Sequence, residues 1–171
     1  MTGSAVGPLS PAAARGKLDA NARINNRTIN NRTDYCTERR TTMVFEETVV
    51  LDLPFDEAVA ATRAALADNG FGVLTEIDMR QTLKAKIDKD MDHYLILGAC
   101  NPKLAGAALD IEPNVGVLLP CNVVVREVDG KVQVDALDPG LMVSMTGEDE
   151  LAPIAAEARR LMGAALAALA A

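Results

Sequence analysis

The chain has 171 residues, 49% hydrophobic and 24% charged, enough for one domain with a sizeable core and no need of disulfides or a structural metal. A net charge of −7 is the wrong sign for a nucleic-acid binder. Only 3% of residues are aromatic, with no Trp, so no platform for stacking sugars or bases exists.

No run of 18 uncharged apolar residues occurs, so no membrane-spanning helix is expected. The N-terminus lacks the basic patch and apolar run of a secretory leader. Three widely spaced cysteines do not make a disulfide framework. A cytoplasmic protein with reduced thiols is the expectation.

Composition changes near Met43. Residues 1–42 carry seven Lys and Arg against three acids, which is +4 and leaves −11 for residues 43–171. They contain a tandem repeat, Ile24-Asn25-Asn26-Arg27-Thr28 followed by Ile29-Asn30-Asn31-Arg32-Thr33. With few large apolar residues and no period of 2 or 3.6, this extension cannot offset its own ordering entropy. It reads as disordered, or as an extension ahead of a true start at Met43, rather than as a basic arm for an acidic partner. Residues 43–171 read as a single domain.

Phe45 to Leu53 is rich in β-branched residues and predicts a first strand. Pro54 suits the first turn of a helix carried by Phe55, Val59, Thr62 and Leu66, and Asn69-Gly70 stops it. Phe71 to Glu76 predicts a second strand. Asp78 and Gln81 have capping-box spacing ahead of a short helix to Ile87, with Met79, Leu83 and Ile87 as its stripe. His93 to Ala99 is a continuous apolar run, expected to be a strand buried on both faces.

Asn101 as N-cap and Pro102 as the first helical residue predict another helix, carried by Leu104, Ala105, Ala108 and Leu109 and ending before Pro113. Val115 to Val128 and Lys131 to Leu137 flank Asp129-Gly130, a two-residue hairpin signal. Pro120 inside the first of these strands predicts an edge or a bulge. Leu151, Ile154, Ala158, Leu161, Ala165 and Leu169 mark a long C-terminal helix with Pro153 in its first turn. The order β-α-β-α-β-α-β-β-α predicts one α+β domain, a sheet with helices packed on it.

Most constellations with possible chemistry reduce to structure. Asp88, Asp90 and Asp92 alternate as in a calcium loop, but the Gly and the distant bidentate Glu of that pattern are missing. Glu148-Asp149-Glu150 stands where acids favour a helix N-terminus. No glycine-rich phosphate cradle is present, and the lone His93, just before a strand, reads as a boundary residue.

The cysteines carry the strongest signal. Cys100 precedes a helix N-terminus, whose field stabilises a thiolate, while Leu95, Leu97 and Leu104 nearby favour a buried, protonated thiol. Cys121 follows Pro120, and pairing of the two strands would bring it near Cys100. Without two further ligands the pair makes no zinc site. Each thiol also fits a small buried hydrophobe.

Three blocks resemble the bacterial and archaeal family called domain of unknown function 302. They are Gly70-Phe71-Gly72-Val73-Leu74 with Glu76-Ile77-Asp78, Leu97-Gly98-Ala99-Cys100-Asn101-Pro102, and Gly116-Val117-Leu118-Leu119-Pro120-Cys121-Asn122-Val123-Val124-Val125. Their order and spacing match over about residues 45–145. The resemblance implies a small α+β domain that forms homodimers, without an established activity. It marks Glu76, Asp78, Cys100, Asn101, Pro102, Cys121 and Asn122 as the site, and names neither a cofactor nor a metal.

Three functions fit this reading. The first is a dimeric binding or accessory domain with a small-molecule pocket near Cys100 and Cys121. The second is a thiol-dependent redox or sulfur-transfer enzyme with Cys100 as the catalytic nucleophile. The third is a thiolate site for a soft metal or haem, built on Cys100, Cys121 and a Met.

Overall fold

Every second residue from Val49 to Leu51 is buried, and this short strand, β1, opens the fold. The structure, a computed structural model, describes residues 48–170. The expectations for the N-terminal extension, its repeat, Phe45 and the start at Met43 lie outside those residues. Pro54 leads into α1 (Phe55–Asp68), whose buried stripe is Ala58, Thr62, Ala65 and Leu66. The Thr62 hydroxyl donates to the Ala58 carbonyl at 2.7 Å, so its burial leaves no polar group unsatisfied. Gly70 at φ +81° turns the chain out of the helix, a conformation that glycine adopts without a Cβ clash.

β2 (Gly72–Asp78) passes directly into α2 (Met79–Ile87), with Asp78 as N-cap accepting from the Gln81 N–H at 2.8 Å. The capping signal predicted this start. The expected stripe of α2 is not buried, however: no residue of the helix is, and Ile87 is 65% exposed. Three apolar residues over nine positions give a stripe, but no second layer lies over it.

β3 (Tyr94–Cys100) is followed at once by α3 (Pro102–Ile111), with Asn101 as N-cap. The strand is buried on both faces only in its second half, from Leu97 onward; Tyr94 and Ile96 are half-exposed. The strand expected from Val115 begins later. Pro113–Leu118 is a 3-10 turn, capped by the Glu112 carboxylate on the Asn114 N–H at 2.8 Å. β4 (Cys121–Val128) starts just past Pro120 and lies inside the sheet, so Pro120 marks neither an edge nor a bulge. Proline has no N–H for the ladder, and the ladder begins with the first residue that does.

Asp129 and Gly130, both at positive φ, close the hairpin to β5 (Lys131–Ala136), as the Asp-Gly pair predicts. A short helix that sequence periodicity did not reveal, α4 (Leu141–Thr146), comes next. Glu148 then caps a 3-10 turn over Asp149–Leu151 that runs into α5 (Ala152–Leu169).

The sheet order is β1-β5-β4-β3-β2, antiparallel throughout. A bulge between Val73 and Thr75 interrupts the edge strand β2. One sheet face, carrying Val49, Leu95, Leu97, Ala99, Cys121, Val123, Val125, Val132 and Val134, packs on Ala58, Ala65, Leu66, Met162, Ala165 and Leu166 of α1 and α5. A second, smaller cluster joins Ala108, Val115, Met142, Leu151 and Ala158. The fold is α+β, as expected, with α4 and two 3-10 turns added.

Candidate functional site

Between the two core clusters lies a cavity at the end of the sheet where β3 gives way to α3. Its wall takes Phe71, Ala99 and Cys121 from the sheet side and Leu104, Ala105 and Ala108 from α3. Leu119, Met142, Ile154 and Ala158 close it, and Cys100 and Asn101 form the junction itself. The cavity has a volume of about 20 Å³, room for about one water. No charged side chain belongs to the wall.

Three of the seven expected site residues, Cys100, Asn101 and Cys121, therefore meet at one cavity. In the β3–β4 ladder Cys121 stands opposite Ala99, which puts Cys100 one position out of register with it. Strand alternation thus assigns Cys121 to the helix-covered face with Ala99, and Cys100 does not share that face. Both thiols are buried, at 8% and 5% exposure, and neither makes a hydrogen bond among the described residues.

Burial raises the Cys100 thiol above its ordinary value. Burial, with a smaller contribution from Cys100, pushes Cys121 up to about 11. At neutral pH both sulfurs hold their protons. Among the described residues, no three His, Cys, Asp or Glu side chains come together as a metal would require.

Asn101 has a defined task. Its side-chain oxygen accepts from the Lys103 and Leu104 N–H groups at 3.1 and 3.2 Å, satisfying two orphan donors of α3. Pro102 follows as the first helical residue and is exposed. Asn122 is exposed on the strand beyond Cys121, paired with Gly98.

Glu76 and Asp78 are placed elsewhere. They lie four and six positions along β2 from Gly72, the ladder partner of Cys100, which separates Glu76 from the cavity end by about 13 Å of strand. Glu76 pairs with Arg63 on the surface, and Asp78 is spent on capping α2. His93 has a structural place too: its Nε2 meets Arg80 Nη1 at 2.8 Å and its ring stacks on Phe55 at 4.6 Å.

The wall residues that were not among the expected site residues are Phe71, Ala99, Leu104, Ala105, Ala108, Leu119, Met142, Ile154 and Ala158. They share no motif, only a common destination.

Residues 47–169 match the family described as "Domain of unknown function DUF302". The chain belongs to the DUF302 family. A solved structure of a conserved DUF302 protein from Bacillus stearothermophilus is similar, at 27% sequence identity and a TM-score of 0.69. The likeness covers 75% of this chain and 99% of that one. No functionally curated protein matches. Among the described residues, no helix of this DUF302 chain is long and apolar enough to cross a membrane.

Proposed function

We propose that this DUF302 protein is a cytoplasmic, homodimeric binding or accessory domain whose site is the cavity at the β3–α3 junction. The observation that carries the reading is the meeting of Cys100, Asn101 and Cys121 in one cavity wall. The wall is apolar and small-sided, with four alanines, and it lies at the boundary between two core clusters rather than inside either. Protonated thiols weigh for binding over a thiol-dependent redox or sulfur-transfer reaction, whose nucleophile is the thiolate.

The proposed dimer rests on the family resemblance and on the sheet face turned away from α1 and α5. Ile77, Ile96 and Val124 lie side by side across three strands on that face, and Val50 is exposed further along it. Arg126 and Asp135, joined at 3.2 Å, border the row. An isologous contact buries this apolar row against its own copy.

Methyl NMR under xenon pressure tests the site. Shifts confined to Ala99, Ala105, Ala108 and Ala158 support it, and their loss in Ala105→Leu ties them to the cavity. An unresponsive set of alanines overturns the reading. Sedimentation at micromolar concentration tests the assembly, and a monomer mass refutes the dimer.

A further inference from the structure

Val117 at 88% exposure and Met145 at 66% are the two most exposed large apolar side chains among the described residues, and both line one groove. The groove, about 270 Å³ in volume, runs between the Pro113–Leu118 turn and α4, with Glu112, Asn114, Leu118 and Thr146 as its other walls. Leu109 extends the apolar surface: it is 40% exposed, and a Cβ at residue 116 of the turn would lie 3.6 Å from its Cδ2.

Both walls are anchored from within. Val115 of the turn and Met142 of α4 are buried together in the small cluster, so the backbone holds Val117 and Met145 outward. Apolar side chains fixed in water as a patch mark an interaction surface.

Charge decides what covers it. Residues 104–125 and 137–158, which include most of α3, the turn, α4 and the start of α5, contain no Lys, Arg or His. They place Asp110 on the last turn of α3, Glu112 in the groove wall, and Glu148, Asp149 and Glu150 just after α4. Glu148 adjoins the groove directly, its N–H donating to the Thr146 hydroxyl at 3.2 Å. None of these carboxylates has an ion-pair partner among the described residues. Such a rim repels a nucleic acid or an anionic bilayer, and an isologous second copy would set Glu112 and Glu148 against their own images.

We propose that this groove docks a cationic peptide segment of a partner protein, which seats an aliphatic side chain between Val117 and Met145 and lays Lys or Arg side chains on the carboxylate rim. The volume admits a side chain rather than a folded domain. The aliphatic anchor supplies affinity by leaving water, and the rim supplies selection and a faster encounter. Met145 suits the task, because a flexible thioether adapts its shape to the anchor. The groove shares no lining residue with the cavity at the β3–α3 junction, so each stands or falls alone.

A blocked peptide of alternating lysine and leucine is the probe, titrated into the full chain and followed by NMR. A glutamate–leucine peptide carries the same apolar groups, and a lysine–serine peptide carries the same charge. The lysine–leucine peptide is expected to shift the methyls of Leu109, Val117 and Met145 together. The glutamate–leucine peptide should leave them unmoved, and the lysine–serine peptide should bind about tenfold more weakly.

Val117→Ser alters an exposed side chain, so the fold is not at risk, and is expected to weaken the lysine–leucine peptide about fivefold to tenfold. Glu112→Gln with Glu148→Gln keeps an oxygen cap on each turn but removes two charges. It should weaken the same peptide about threefold to tenfold at low salt and reduce the salt dependence of binding. Absence of binding, equal binding of the lysine–serine peptide, or shifts spread over other acidic parts of the chain overturns the proposal. So does indifference of the affinity to both variants. A change in sedimentation on Val117→Ser without a change in peptide affinity also overturns it, and gives the patch to a second copy.

Discussion

Thr75 faces Gly98 across the β2–β3 ladder so closely that its hydroxyl oxygen occupies the space a Cβ on residue 98 would need. Pro120 closes the other side, with its Cγ 2.7 Å from that position. Gly98→Ala is therefore expected to destabilise the fold by about 1–3 kcal/mol through overpacking. Thr75→Ala in the same chain should recover part of the loss and leave the part due to Pro120. Denaturant unfolding of the single and double variants measures both, and an unperturbed Gly98→Ala midpoint would disprove the close approach.

The cap at Asn101 is testable by stability alone. Asn101→Ala removes the acceptor for two N–H groups and is expected to cost about 1 kcal/mol, while Asn101→Asp keeps most of the stability. Thermal unfolding checks the order: Asn and Asp close together, Ala lower by several degrees.

Cys121 predicts a fall in stability at alkaline pH. An unfolded thiol loses its proton near 9, whereas the folded thiol holds it to about 11. Between those values the native state binds more protons than the unfolded state, so stability is intact below pH 9 and declines as pH rises toward 11. The full loss is roughly 2–3 kcal/mol for two pKa units. Cys121→Ala should flatten this part of the curve of stability against pH. Parallel slopes for the two proteins would count against it.

Alkylation follows the same chemistry. Iodoacetamide is expected to label both thiols slowly in the native state at neutral pH, with Cys100 ahead of Cys121, because burial acts more strongly on Cys121. Mass spectrometry assigns each site. Fast labelling of Cys100 at pH 7 would revive the nucleophile reading.

A chain beginning at Met43 is expected to keep the melting temperature of the full chain, because residues 1–42 carry no apolar periodicity. A drop of several degrees in calorimetry would show that the extension packs on the domain.

Much of this fold is legible wherever local chemistry decides the backbone. Asp78 with Gln81, Asn101 with Pro102, and Asp129 with Gly130 each specify a cap or turn without help from distant residues, and each forms as expected. Val115 to Leu119 misleads because an apolar run fits a strand or a helical turn equally well. What decides it is Pro113 with the Glu112 cap, a signal placed before the run. Helix α4 has six residues, too few for a period to emerge, although the Asp138 carboxylate on the Gly140 N–H at 2.8 Å marks its approach.

The site divides in the same way. Cys100, Asn101 and Cys121 stand out as residue types at an element junction. Ala105, Ala108 and Ala158 matter for the volume they leave unfilled, which only the packed structure reveals. Glu76 and Asp78 belong to the family blocks, but their partners Arg63 and Gln81 draw them into surface pairing and capping.

Helix α5 is the shared axle of the molecule. Its first turns, through Ala158, serve the small cluster with α3 and α4, and Met162, Ala165 and Leu166 serve the sheet. The small cluster has few large side chains, so the α3–α4 layer should breathe away from the sheet far more often than the sheet comes apart. Its amide hydrogens should exchange first, α5 recording the boundary as a step in protection along a single helix. A guest lodged in the seam would act as a latch on that breathing, slowing exchange in α3 and α4 while the sheet strands keep their own pace.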